Sequence, residues 1–285
     1  IFCGGGNNGG DGYELACQAR RTGWLVQVIQ LVAPDRLQGA ARQAYDACIA
    51  SGVDCQLFQA EIAQKIDEWR LSRSRSQVLV VDALLGTGAR GAPREAVERA
   101  ITWINQSALP VLAVDIPSGV NADTGYVPGV AVNASLTLSL IGRKRGLYTG
   151  DAPAFTGSIY FDELGIPGTV LSAEPASSPS ALGIDASILM QLPPRSRTAH
   201  KGDAGRVVIV GGDSGYGGAA LMASESAARS GAGTVSLITR QAHVSAMLAR
   251  CPEIMVHALE QWQAGAAERA DALLKTASSV VLGPG

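Results

Sequence analysis

Aromatic residues are scarce, 5% of a 285-residue chain, which leaves little material for a surface that stacks on bases. Net charge is also small, −2, so there is no electrostatic case for nucleic acid or an anionic membrane as partner. No apolar run approaches the ~20 residues that span a bilayer. No C-x-x-C pair occurs. The five cysteines, Cys3, Cys17, Cys48, Cys55 and Cys251, are odd in number and widely spaced. They read as reduced thiols packed as small apolar side chains, which points to a reducing, cytoplasmic compartment.

Small and apolar residues fill the space. Hydrophobic residues reach 47% against 17% charged, enough for a sizeable core in one large domain or two ordinary ones. Strand-like and helix-like stretches alternate. Residues 24–32, 53–58, 77–82, 109–115, 134–142 and 157–164 read as strands; residues 37–52, 61–70 and 92–106 read as helices. Apolar strands separated by helices predict an α/β fold with a parallel sheet covered on both faces. At 167–180 the text becomes "PGTVLSAEPASSPS", a linker composition. The strand "RVVIV", a small-residue helix and the strand "TVSLIT" then begin a second unit. The boundary is placed near residue 175. The chain opens inside what reads as a strand and closes on "VVLGPG", so it is expected to be a piece of a longer polypeptide whose second domain is incomplete.

Three stretches carry the chemistry. The opening "IFCGGGNNGGDG" holds six glycines in residues 4–12. Glycines after a strand allow positive φ and close approach of a ligand to the backbone. A helix starting near Gly12 would aim its N–H groups at a phosphate or other anion. The spacing is neither G-x-G-x-x-G with a distant acid nor a Walker loop. Asp82, before a second glycine loop, and Asp115, before Ser118, end two further strands. Ligands bind beyond the carboxyl ends of parallel strands. An amide, carboxylates and a hydroxyl gathered there form an all-oxygen set suited to a hard cation, and its low formal charge favours K⁺ over a divalent ion.

"GNNGGDG", "DALLGTG" and "DIPSGVNADTG", in that order and spacing, resemble the NAD(P)H-hydrate epimerase family over residues 1 to about 168, without the family's usual N-terminal helical segment. The resemblance implies a Rossmann-like three-layer α/β/α sandwich over 1–175. It also implies interconversion of the R and S epimers of NADHX and NADPHX, small-molecule substrates. On that basis Asn7, Asn8, Gly9, Gly10 and Asp11 correspond to a substrate-binding loop. Gly86, Thr87, Gly88, Ala89, Arg90, Gly91 and Ala92 correspond to a second. Asn8, Asp82 and Ser118 correspond to K⁺ ligands. Asp115 corresponds to a substrate-contacting acid and is the candidate for proton transfer. Gly5 stands where the family often has Pro. The basic run "GRKRG" (142–146) suits a pyrophosphate or a solvated turn.

Residues 200–233, "HKGDAGRVVIVGGDSGYGGAALMASESAARSGAG", resemble the start of the ADP/ATP-dependent NAD(P)HX dehydratase family. That implies a partial ribokinase-like α/β domain over 176–285, with Ala219 and Gly285 as substrate contacts. ADP or ATP is implied for the parent protein, its site belonging to a later glycine motif beyond this chain. A homo-oligomer is expected. Two other functions suit the glycine loops: a ribokinase-like kinase of a vitamin precursor, and a non-catalytic nucleotide-binding protein. The joint presence of Asn8, Asp82, Ser118 and Asp115 speaks against the second, since a binder has no need of both ion ligands and an acid.

Overall fold

The computed structural model of the chain describes residues 1–59, 62, 64–66, 68, 77–167, 179–191, 194–259 and 264–283. It divides into two compact units, Ile1–Gly183 and Ile184–Gly285. The boundary expected near 175 and most of the helix expected over 61–70 lie outside the described residues.

In the first unit the chain runs β1 (Phe2–Cys3), α1 (Asn7–Arg21), β2 (Gln27–Gln30), α2 (Gly39–Ala50), β3 (Asp54–Leu57) and β4 (Val80–Ala83). It continues through α3 (Glu95–Gln106), β5 (Val111–Val114), β6 (Leu136–Leu140) and β7 (Ser158–Asp162). The strands form a seven-stranded sheet in the order β3-β2-β1-β4-β5-β6-β7, and every pairing is parallel. Successive side chains leave a strand on opposite faces, and the core follows that rule. Cys3 and Val28 pack with Tyr13, Cys17 and Cys48 of α1 and α2 on one face. Phe2 and Ile29 pack with Ile101 and Ile104 of α3 on the other. Helices on both faces of a parallel sheet give three layers. The chain winds outward from β1 in one direction and from β4 in the other, so the strand order reverses between β1 and β4. In open α/β sheets such a reversal leaves a crevice at the carboxyl ends of the strands.

The second unit repeats the logic. Its elements are β8 (Arg206–Val210), α4 (Gly217–Arg229), β9 (Thr234–Thr239), α5 (Gln241–Arg250), β10 (Met255–Ala258), α6 (Ala264–Lys275) and β11 (Ser279–Leu282). They build a four-stranded sheet, β10-β9-β8-β11, again parallel throughout. Ile209 and Leu237 pack under Ala220 and Met247, while Val208 and Ile238 pack with Ala270 on the opposite face. The order reverses between β8 and β11.

The five cysteines are free. Among the described residues no helix is long and apolar enough to cross a membrane.

The opening glycines depart from expectation. The first helix begins at Asn7, with Gly6 as its N-cap, rather than near Gly12. None of the six opening glycines has positive φ. At Gly4, Gly9, Gly10 and Gly12 the lack of a side chain serves packing inside the protein, whereas Gly5 and Gly6 are exposed. A Cβ on Gly9 would overlap the carbonyl oxygen of Gly4, and one on Gly4 would overlap the carbonyl oxygen of Leu84. A Cβ on Gly12 would stand 2.7 Å from Ala83 Cβ and from Cys3 Sγ, and one on Gly10 would stand 3.2 Å from Ala41 Cα in α2. Glycine is a poor helix former, and three of them within residues 9–12 suggest a loop. Here α1 presses against β1, β4 and α2 at Gly9, Gly10 and Gly12 too closely for a larger residue at those positions.

Candidate active site

The crevice between β1 and β4 is where the distant motifs meet. Asn8, in the first turn of α1, is 6% exposed; Asp82, the third residue of β4, and Ser118, beyond β5, are fully buried. The Ser118 hydroxyl donates to Asp82 Oδ1 at 2.6 Å, and its backbone N–H donates to Asp82 Oδ2 at 2.8 Å. The Leu84 N–H also reaches Asp82 Oδ1, at 3.2 Å. Leu85 joins the other side: its N–H donates to Ser118 Oγ at 2.9 Å, and its carbonyl accepts from Asn8 Nδ2 at 2.9 Å. The backbone of one residue thus joins Asn8 to Ser118, and Ser118 carries the link on to Asp82. Burial pushes the Asp82 carboxyl up to about 6, with the Ser118 and Leu84 hydrogen bonds offsetting part of the effect.

One atom in this network is unsatisfied. Asn8 Oδ1 is buried and accepts no hydrogen bond, a costly condition for a polar atom. An amide oxygen without a partner, beside a carboxylate and a hydroxyl, fits a monovalent cation that binds through neutral oxygens. Asp82 is the carboxylate of this network, and among the described residues no cluster of three or more His, Cys, Asp or Glu gathers.

A second feature lies at the ends of β5 and β6. Asp115 follows β5 with φ +69°, a left-handed conformation that Asp tolerates better than most residues and that collects at functional sites. Its Oδ1 accepts from the Leu140 N–H at 3.1 Å and forms an ion pair with Lys144 Nζ. Lys144 Nζ also donates to the Leu140 carbonyl at 2.7 Å. The pair is only 16–17% exposed. Asp11 is close enough to feel it. Partial desolvation raises the Asp11 carboxyl, the Asp115 charge raises it further, and Lys144 pulls it back.

The sequence placed Lys144 in a basic run and left its partner unspecified. The pairing requires that β5 and β6 be neighbours with Leu112 opposite Leu136, which spacing along the chain does not state.

The remaining candidates divide. Asn7 and Asp11 lie at the surface of α1, whereas Gly9 and Gly10 are buried packing positions. In the second loop a Cβ on Gly86 would sit 3.1 Å from Asn8 Cβ, so the two loops interlock there. Thr87, Gly88, Arg90, Gly91 and Ala92 are exposed and Ala89 half-exposed. Arg90 Nη1 donates to the Thr87 and Ala89 carbonyls at 3.0 and 3.1 Å, holding its own loop. Ala219 belongs to the second unit, half-exposed in the first turn of α4. The space beside Gly217 is filled by the His243 ring, 2.8 Å from where a Cβ would stand. Gly285 lies outside the described residues.

A doubly wound sheet, glycine loops and a buried oxygen-rich site at the strand-order reversal define a Rossmann-type small-molecule-binding protein. Residues 1–146 match the family described as YjeF-related protein N-terminus, and the chain belongs to that family. Residues 207–285 match the NAD(P)H-hydrate dehydratase profile. The bifunctional NAD(P)H-hydrate repair enzyme Nnr of Coxiella burnetii is 41% identical over the whole chain, which covers 55% of that protein. The Escherichia coli protein of the same name is 38% identical over the whole chain, which covers 52% of it. The chain therefore spans about half the length of these relatives. A crystal structure described as a ribokinase-like superfamily protein from Enterococcus faecalis is 33% identical, covering 36% of this chain and 34% of its own, with a TM-score of 0.33.

Proposed function

We propose that the first unit interconverts the R and S epimers of NADHX and NADPHX, and that the second is the N-terminal part of an ADP- or ATP-dependent NAD(P)HX dehydratase domain. The two activities belong together, since a dehydratase selective for one epimer needs a supply from the other. The observation that carries the reading is the Asp115–Lys144 pair at the mouth of the crevice, beside the buried Asn8–Leu85–Ser118–Asp82 network.

The hydrated ring carbon of the substrate bears a hydroxyl and a ring nitrogen. Inverting it requires temporary loss of the stereocentre, by departure of the hydroxyl to leave an iminium or by opening of the ring. In the first route the C–O bond breaks as the oxygen takes a proton and leaves as water. Water then adds to the opposite face and returns the proton. In the second the hydroxyl gives up a proton while the C–N bond breaks and the nitrogen accepts one. Each route needs a group that holds or moves a proton at that oxygen, and Asp115 takes this role. Lys144 and the Leu140 N–H both bind Oδ1. They orient the carboxyl and leave Oδ2 to the substrate. Asn8 Oδ1, an Asp82 carboxylate oxygen and Ser118 Oγ would hold K⁺, whose charge would order the two loops around the substrate.

Purified R epimer followed by chiral chromatography tests the function. Interconversion above the uncatalysed rate is the expected result, and its absence with and without K⁺ sinks the reading. Recovery of a phosphorylated vitamin precursor instead would favour a kinase. The ion has a separate test. Replacing choline by K⁺ at equal ionic strength should raise the melting temperature by about 2–5 °C, and Asn8→Ala should abolish the rise. Equal melting temperatures in both salts would exclude the cation site.

A further inference from the structure

A polar cleft of about 410 Å³ opens beside Lys144, lined by Thr87, Arg90, Asp123, Arg143 and Arg145 among others. Its charges do not cancel. Lys144 is matched by Asp115. Arg90 is committed to the carbonyls of its own loop and stands 3.8 Å from Asp123. Asp123 is the sole carboxylate among the described lining residues, so Arg143 and Arg145 remain in excess. Their donors are available. The Arg143 guanidinium lies over the Phe161 ring, 5.2 Å from its centroid, a contact that holds the cation while leaving its N–H fork open. Arg145 spends Nε on the Asp123 carbonyl, at 2.8 Å, and among the described residues its terminal nitrogens meet no acceptor. A solvated basic turn would present these side chains outward; here they face a concavity.

We propose that this cleft receives phosphate groups of the substrate dinucleotide, with Arg143 and Arg145 as the contacts. The proposal rests on the epimerase reading, because it places the hydrated ring at Asp115 and the phosphates one ribose away. Guanidinium forks match phosphate oxygens in shape and charge. Thr87 lines the cleft and belongs to the loop that interlocks with Asn8, so one loop would run from the cation ligands to the phosphates. Asp123 opposes the phosphates and tunes the affinity downward.

The test uses the 285-residue chain and inorganic pyrophosphate, titrated calorimetrically. Salt-sensitive binding is expected, weakened about tenfold or more in Arg143→Gln/Arg145→Gln, the loss of two charge-assisted contacts. In Asp123→Asn it should tighten by about two- to fivefold, the release of one exposed like charge, a gain that misfolding cannot produce. In epimerase assays the arginine variant should show a KM raised about five- to tenfold, which dominates the loss in kcat/KM. A rise for both NADHX and NADPHX assigns the cleft to the diphosphate, and a rise for NADPHX alone assigns it to the 2′-phosphate. Unchanged pyrophosphate binding in the arginine variant, or unchanged KM for both substrates, overturns the proposal. Arginine-dependent pyrophosphate binding by a wild-type protein that epimerises nothing would leave the phosphate site standing and remove the epimerase reading.

Discussion

Asp115→Asn is expected to slow epimerisation by about 10²–10⁴-fold, the range for removal of a general acid–base group. The substitution is chosen for its conformation. Asp115 sits at φ +69°, and Asn is among the few residues that occupy the left-handed region easily, so the backbone at the end of β5 is preserved. The amide keeps an acceptor for the Leu140 N–H and loses the capacity to exchange a proton. The loss should fall on kcat, read from single-turnover conversion of R epimer with the uncatalysed rate subtracted. Because Asp115 and Lys144 form one ion pair, their effects should not add. Asp115→Asn/Lys144→Met should be no more than a few-fold slower than Asp115→Asn alone, as groups that act as a unit behave. A variant Asp115→Asn with wild-type kcat would show that the proton moves elsewhere.

Gly9→Ala should destabilise the first unit by about 1–3 kcal/mol, the range for a forced overlap in a packed interior. Helix propensity alone predicts the opposite sign, since Ala in place of Gly inside a helix stabilises by ~1 kcal/mol. The added methyl would overlap the carbonyl oxygen of Gly4, which belongs to the backbone and cannot turn aside as a flexible side chain does. The steric cost therefore wins. Gly88→Ala supplies the comparison, because nothing lies within 4 Å of a Cβ there, and its effect should stay within about 0.5 kcal/mol. Urea unfolding of the full chain measures both, and a stability gain in Gly9→Ala would refute the packing argument.

The parallel sheet and the meeting of three strand ends were legible because strands covered on both faces are apolar throughout, and because "DALLGTG" and "DIPSGVNADTG" each put polar atoms directly after such a strand. The start of α1 was not. Residues 4–12 look like a loop to any local rule, and only contact with β1, β4 and α2 makes Gly9, Gly10 and Gly12 helical. The Asp115–Lys144 pair was half legible. Each residue stood out, but their 29-residue separation closes only once β6 is laid against β5. The role of Leu85 carried no signal, because its backbone rather than its side chain joins Asn8 to Ser118.

The packing of the opening glycines divides the crevice into a wall and a rim. On the wall, Gly4, Gly9 and Gly12 are held by neighbouring backbone and core atoms, so nearly any exchange there costs the fold before it touches the ligand. On the rim, Thr87, Gly88, Arg90, Asp123, Arg143 and Arg145 are all exposed, and most exchanges leave the core untouched. Substrate preference among relatives should therefore drift through the rim while the wall stays still. An engineer seeking to retune the ligand would randomise the turn after β6 and the tip of the 86–92 loop, and leave "GGGNNGGDG" alone.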